Sequence, residues 1–185
     1  IALSVSRFDP DLRVALAEAL LGSYELGYRR YELAKYHLNE ALIISPLLPR
    51  AVRVLASMKM SDGQYKDAEA LVRKSLTKYP ANVDLNAALA SIAVFRGRMK
   101  EFEEIADNFK KDRPKCARVF AQVAETVGAR FRYREARDLA KRALEIDKDY
   151  HPALAIYGIN LTRTGNVDLG FKILTRSQKL DPFHV

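Results

Sequence analysis

The side chains able to do chemistry in this 185-residue chain are few and scattered. Its three histidines, His37, His151 and His184, stand far apart, and none forms the His-x-x-x-His or His-Glu-x-x-His spacing that sets two metal ligands on one helical face. The single cysteine, Cys116, follows Pro114-Lys115 at the start of a predicted helix, where the helix dipole and basic neighbours lower a thiol's pKa. No sequence-adjacent base completes a nucleophile there, so Cys116 reads as structural, and one cysteine excludes both an internal disulfide framework and a thiol pair for zinc. Glu101, Glu103 and Glu104 lie within helical reach of Lys100, Lys110 and Lys111, the pattern of a solvated helix face rather than of an acid–base pair in a cleft. The glycines never cluster as Gly-x-Gly-x-x-Gly or ahead of Lys-Ser/Thr, so no phosphate-cradling loop is present. The reading therefore contains no catalytic residue, no cofactor and no metal site.

Composition directs attention to partners instead. The formal net charge is +8, yet it is local: residues 49–82 carry seven basic against three acidic side chains, whereas residues 15–48 carry three against four. A patch of this kind is read as solvated helix surface ahead of a polyanion-binding stripe. Apolar residues make up 49% of the chain, with only eight glycines and seven prolines, which is a folded composition. No apolar run approaches the roughly 18 residues needed to span a bilayer, so membrane insertion is not expected. Ile1 to Phe8 carry neither an initiating Met nor a secretory pattern and read as the edge of a longer protein, which leaves the compartment unassigned.

The elements that must position these side chains follow a 34-residue beat. Pro46, Pro80, Pro114 and Pro182 share one phase, with Lys148 on the vacant beat. Gly22, Ala56, Ala90, Ala124 and Gly158 share a second phase; Ala34, Ala68, Ala136 and Gly170 a third; Ala41, Ser75, Ala143 and Ser177 a fourth. A fixed period of this length signifies stacked structural repeats. Within residues 117–150, Phe120, Val123, Ala124 and Val127 recur at helical spacing, and Ala136, Ala140, Ala143 and Leu144 do so again after a polar break, which predicts a helical hairpin. Gly63, Gly97 and Gly165 at the break supply a left-handed residue to end the first helix, and Arg130-Phe131-Arg132-Tyr133 is their counterpart. Tyr31, Tyr65, Met99, Tyr133 and Val167, two residues on, are expected to pack back over the first helix as core. The small residues mark close helix crossings, and the recurring proline is expected to stop each second helix.

The small eighth residues, together with Gly63-Gln64-Tyr65-Lys66-Asp67-Ala68, Tyr133-Arg134-Glu135-Ala136, Ala143-Leu144-Glu145-Ile146-Asp147 and Leu180-Asp181-Pro182, resemble the tetratricopeptide repeat. The resemblance covers almost the whole chain. It implies an all-α, right-handed superhelical solenoid of about five hairpins in frames 15–48, 49–82, 83–116, 117–150 and 151–185, with residues 1–14 as lead-in and remnant of a preceding repeat. Phe102 and Phe109 depart from the pattern where small residues belong, so the second helix of the third hairpin is expected to pack farther out or tilt. Asp9-Pro10 and Gly27 each stand two residues early, which indicates an insertion in the first unit. No polar capping helix follows Pro182, so the last face is expected to be sticky and to support end-to-end self-association.

In that family the first helices line a concave groove, which implies partner-binding residues here: Arg50, Arg53 and Ser57 in the second unit; Asp84, Ser91 and Phe95 in the third; Arg118 and Glu125 in the fourth; and Ala155, Ile159 and Arg163 in the fifth. Such a groove suits a protein or peptide with acidic and apolar side chains, since arginine grips carboxylate through two parallel hydrogen bonds, although pairing of some arginines with Asp84 or Glu125 is an equal alternative. The implied function is a non-catalytic protein-interaction scaffold. The ninth residues include no asparagine of the kind that clamps a terminal carboxylate in chaperone-tail binders. A nucleic-acid-reading helical repeat would need a regular polar code that the first helices lack. Residues 117–185 further resemble bacterial repeat proteins that continue into a peptidase-MA-like zinc metallopeptidase domain, which implies an alternative role as the substrate-presenting arm of a larger enzyme.

Overall fold

The computed structural model describes residues 9–22 and 27–181, and the chain divides into two compact units, Ile1–Leu85 and Asn86–Val185. All regular structure among the described residues is helical. The first unit contains α1 (Pro10–Leu21), α2 (Tyr28–Ile44), α3 (Pro49–Ser61), α4 (Tyr65–Leu76) and the start of α5 (Val83–Phe95). The second contains the rest of α5, then α6 (Met99–Asp107), α7 (Arg113–Gly128), α8 (Tyr133–Ile146), α9 (His151–Arg163) and α10 (Val167–Leu180). The expected remnant helix at Ile1–Phe8, together with Ser23, Pro182 and His184, lies outside the described residues.

Helices pair as antiparallel-type hairpins joined by short turns, and each hairpin packs on the next within its unit. In the first unit α1 packs on α2 and α3 on α4, while α3 also touches both α1 and α2. In the second, α7 packs on α8 and α9 on α10, and α9 touches both α7 and α8. The small-residue phases sit where these helices meet: Ala56, Ala90, Ala124, Ala34, Ala68, Ala136, Ala41 and Ala143 are all completely buried. Small residues there let two backbones approach without opening a void. The serines of the last phase add a polar tie to their own hairpin. The Ser75 hydroxyl on α4 donates to the Leu47 carbonyl ahead of α3 (2.7 Å), and the Ser177 hydroxyl on α10 donates to the His151 carbonyl at the start of α9 (2.9 Å).

Four turns end their first helix in the same way. Gly63, Gly97 and Gly165 adopt φ of 76°, 72° and 96°, and the following amide donates to the carbonyl five residues back. These bonds run from Gln64 to Lys59 (2.8 Å), from Arg98 to Ala93 (2.8 Å) and from Asn166 to Leu161 (2.9 Å), which closes the left-handed helix stop. In the fourth turn Phe131 takes the glycine's place at φ 64°, and the matching bond from Arg132 to Val127 lengthens to 3.3 Å.

Two sequence expectations need correction. Pro114 does not stop the preceding helix: α6 ends at Asp107, and Pro114 lies in the first turn of α7, where its missing amide costs nothing and Asp112 caps the helix by accepting from the Lys115 amide (3.2 Å). Similarly α1 begins at Pro10, with the Asp9 carboxylate accepting from the Asp11 and Leu12 amides. Of the residues expected as core two positions after the turn, Tyr31 packs half-buried against the core of the first unit and Tyr65 and Tyr133 are half-buried, whereas Met99 and Val167 are exposed at the first position of their helices. Phe102, by contrast, is completely buried, edge-to-face on Phe120 with ring centroids 5.5 Å apart.

Candidate partner-binding surfaces

First helices lie side by side within each unit, as a groove requires, but the arginines expected to meet a partner are already engaged. On α3, Arg50 reaches Glu18 of α1 through Nη2 at 2.5 Å and Nε at 3.2 Å, and Arg53 takes the second oxygen of the same carboxylate at 2.6 Å. For Arg50 and Arg53 the partner is Glu18. One carboxylate thus holds two guanidinium groups at half-exposed positions, so a carboxylate ligand would compete with Glu18 or join it. Ser57 is exposed on the same helix, and Asp84 is half-buried in the first turn of α5.

In the second unit, Arg118 and Glu125 are exposed on α7, with Ile159 and Arg163 exposed on the adjoining α9. Ser91 differs from expectation: it is only 2% exposed, and its hydroxyl donates to the Ala87 carbonyl of its own helix (2.9 Å), so it does not line a surface. Phe95 is covered on its ring face by the Arg130 and Arg132 guanidiniums at 5.0 and 5.1 Å. Arg163 lies over the Tyr133 ring at 4.9 Å. This arginine–aromatic layering along the turn edge was missed in the sequence. The available signal was Arg130-Phe131-Arg132 occupying a break that is glycine-bearing in three other repeats.

A second feature lies where Phe102 and Phe109 interrupt the small-residue pattern. A cavity of about 490 Å³ opens there, bordered by Glu103, Arg113, Cys116, Phe120, Arg142 and Ile146 among others. Arg142 grips Glu103 with two parallel bonds of 2.7 Å and stacks on Phe120 at 4.4 Å. That hydrogen bonding holds the Glu103 carboxyl below its usual range. Arg113 donates to the Ile146 carbonyl on the same rim. Cys116 is buried, with its sulfur 3.7 Å from the Ala106 carbonyl oxygen; burial pushes the thiol up, with Asp107 adding to the effect, and outweighs the basic neighbours that favour a thiolate. Among the described residues no group of three or more His, Cys, Asp or Glu is placed to hold a metal ion, and no helix is long and apolar enough to cross a membrane.

Residues 59–125 match the family model for the tetratricopeptide repeat. No curated protein matches the sequence. Among solved structures, the chain is similar to YrrB, described as a TPR protein with an unusual peptide-binding site, at 18% identity and TM-score 0.53, over 99% of this chain and 92% of that one. It is also similar to PilF of Pseudomonas aeruginosa, at 17% identity and TM-score 0.58, over 91% of this chain and 76% of that one. The MamA 41-end structure from Desulfovibrio magneticus RS-1 is similar at 14% identity and TM-score 0.50, over 95% and 96% of the two chains. At these identities the likeness is one of fold. The matched segment, the recurring left-handed turn and the small-residue crossings together give the chain a fold of the tetratricopeptide-repeat type, with residues 59–125 matched to that family itself.

Proposed function

We propose that this chain is a protein-interaction scaffold that holds a peptide or helix of a partner against the first helices of its repeats. Scaffolding of protein partners is the general role of the tetratricopeptide fold, and the fold is shared with a protein described as having a peptide-binding site. The observation that carries the reading is the pairing of α7 with α9, which leaves Arg118, Glu125, Ile159 and Arg163 exposed on neighbouring first helices. Charged and apolar side chains at that spacing suit an amphipathic helix or an extended segment bearing carboxylates. In the first unit Arg50, Arg53 and Ser57 contribute a second such strip, tuned by Glu18. The repeat frames 15–48 to 151–185 are the units of this scaffold, and the presenting-arm alternative uses the same face.

Selection of displayed random peptides against the chain tests the proposal. Enriched peptides are expected to combine acidic and apolar residues and to lose binding to Arg118→Glu and to Ile159→Asp. Enriched peptides indifferent to both substitutions would sink it.

A further inference from the structure

Phe131 holds a backbone conformation that the equivalent positions give to glycine. Gly63, Gly97 and Gly165 serve the same helix stop without a side chain, whereas Phe131 sits at φ 64° with its side chain 79% exposed. Left-handed backbone is unfavourable for a residue with a Cβ, and no burial offsets the cost here. The fold therefore accounts for the conformation at this position but not for the phenylalanine.

Its surroundings point to a ligand chemistry. The Phe131 ring lies edge-to-face with Tyr133 at 6.1 Å, and Arg163 covers the Tyr133 ring. Residues 129–135 carry Arg130, Arg132 and Arg134 against one carboxylate, Glu135, and Arg132 takes that carboxylate at 2.6 Å. Among the described residues neither Arg134 nor Arg163 has a carboxylate partner. Phe131, Tyr133, Arg134, Arg163 and Thr164 border a shallow cavity of about 540 Å³.

We propose that this turn edge is a docking site adjoining the α7–α9 strip and sharing Arg163 with it, taking an acidic segment of a partner protein that inserts one apolar side chain beside Phe131 while its carboxylates meet Arg134 and Arg163. Tyr133, Arg134 and Arg163 share the cavity lining with Phe131; tyrosine and arginine are enriched in binding hot spots, and arginine recognises carboxylate with two directed bonds. Single-stranded nucleic acid would use the same residue types through successive stacked bases. The geometry favours the peptide: the two rings stand at 75° to each other and Arg163 occupies one Tyr133 face, so no run of open ring faces exists for consecutive bases.

Fluorescence anisotropy on the chain with three labelled probes tests this: an Asp/Glu-rich peptide with a central leucine, its Asn/Gln counterpart, and oligothymidylate. The acidic peptide is expected to bind in preference to the other two. Phe131→Gly and Arg134→Glu should each weaken it at least about tenfold, whereas Ile43→Gln, at an exposed apolar residue of the first unit, should not. Because glycine is what the other turns already use, Phe131→Gly keeps the fold, to be confirmed by circular dichroism. The proposal is overturned by absence of peptide binding at millimolar concentration, by peptide binding indifferent to both substitutions, or by oligothymidylate binding preferentially through Phe131 and Arg134.

Discussion

Gly158 and Gly170 meet across the α9–α10 hairpin so closely that neither tolerates a side chain. A β-carbon on Gly170 would lie 2.9 Å from the Gly158 carbonyl oxygen and 2.5 Å from the Thr162 methyl, and one on Gly158 would lie 2.7 Å from Leu174 Cγ. Gly170→Ala is expected to destabilise the chain, because overpacking costs about 1–3 kcal/mol and outweighs the roughly 1 kcal/mol that alanine gains over glycine in a helix. Urea unfolding followed by circular dichroism measures it; a midpoint at or above that of the parent chain would show that the crossing can relax.

The Arg142–Glu103 pair sets a pH dependence. The folded carboxyl of Glu103 is held below its unfolded value by Arg142, so its contribution is complete above about pH 4.3 and is lost as pH falls through the depressed folded value. Both side chains are about two-fifths exposed, which limits the pair to about 1 kcal/mol or less. Glu103→Gln should therefore lower the melting temperature at pH 7 and leave it almost unchanged in acid. Arg142→Ala should cost more, because its stacking on Phe120 is lost as well.

Tyr31 on α2 ties two hairpins together. Its hydroxyl donates to Asp62 Oδ1 at 2.9 Å, with the Met58 carbonyl also in reach at 3.1 Å. Burial first, and then the Asp62 hydrogen bond and charge, push its pKa up to about 12. The raised value means that the contribution is present below about pH 10 and is lost as pH rises through about 12. Ultraviolet titration should show a tyrosine ionisation near pH 12, and Tyr31→Phe should remove that step and cost about 1 kcal/mol at neutral pH.

Phe131→Gly should stabilise the fold by about 1 kcal/mol through relief of left-handed strain, even while it removes the proposed docking contact. Gly165→Ala at the equivalent turn should act in the opposite sense by a similar amount. Thermal melts of the two variants settle the sign.

Leu169, Phe171 and Leu180 are exposed on α10, the last described helix. Concentration-dependent association is expected in light scattering, and Phe171→Lys should reduce it. A strict monomer over a wide concentration range would refute that expectation.

Helical hairpins, left-handed turns and close crossings were legible in the residues themselves. A turn that requires positive φ selects glycine, and a close crossing selects a small side chain, wherever the repeat recurs; Gly63, Gly97, Gly165, Ala56 and Ala124 therefore announce their roles without any partner being known. Phe131 obeys the same backbone rule with the wrong residue type, which only its φ reveals. Pairing of the charges was not legible. Glu18 captures two arginines more than thirty residues away, Arg142 selects Glu103 from thirty-nine residues back, and Ser91 turns its hydroxyl inward rather than to a groove. Those choices depend on where folded helices place side chains relative to one another, to within about an ångström for hydrogen bonding. A period along the chain supplies the order of the helices but not that distance.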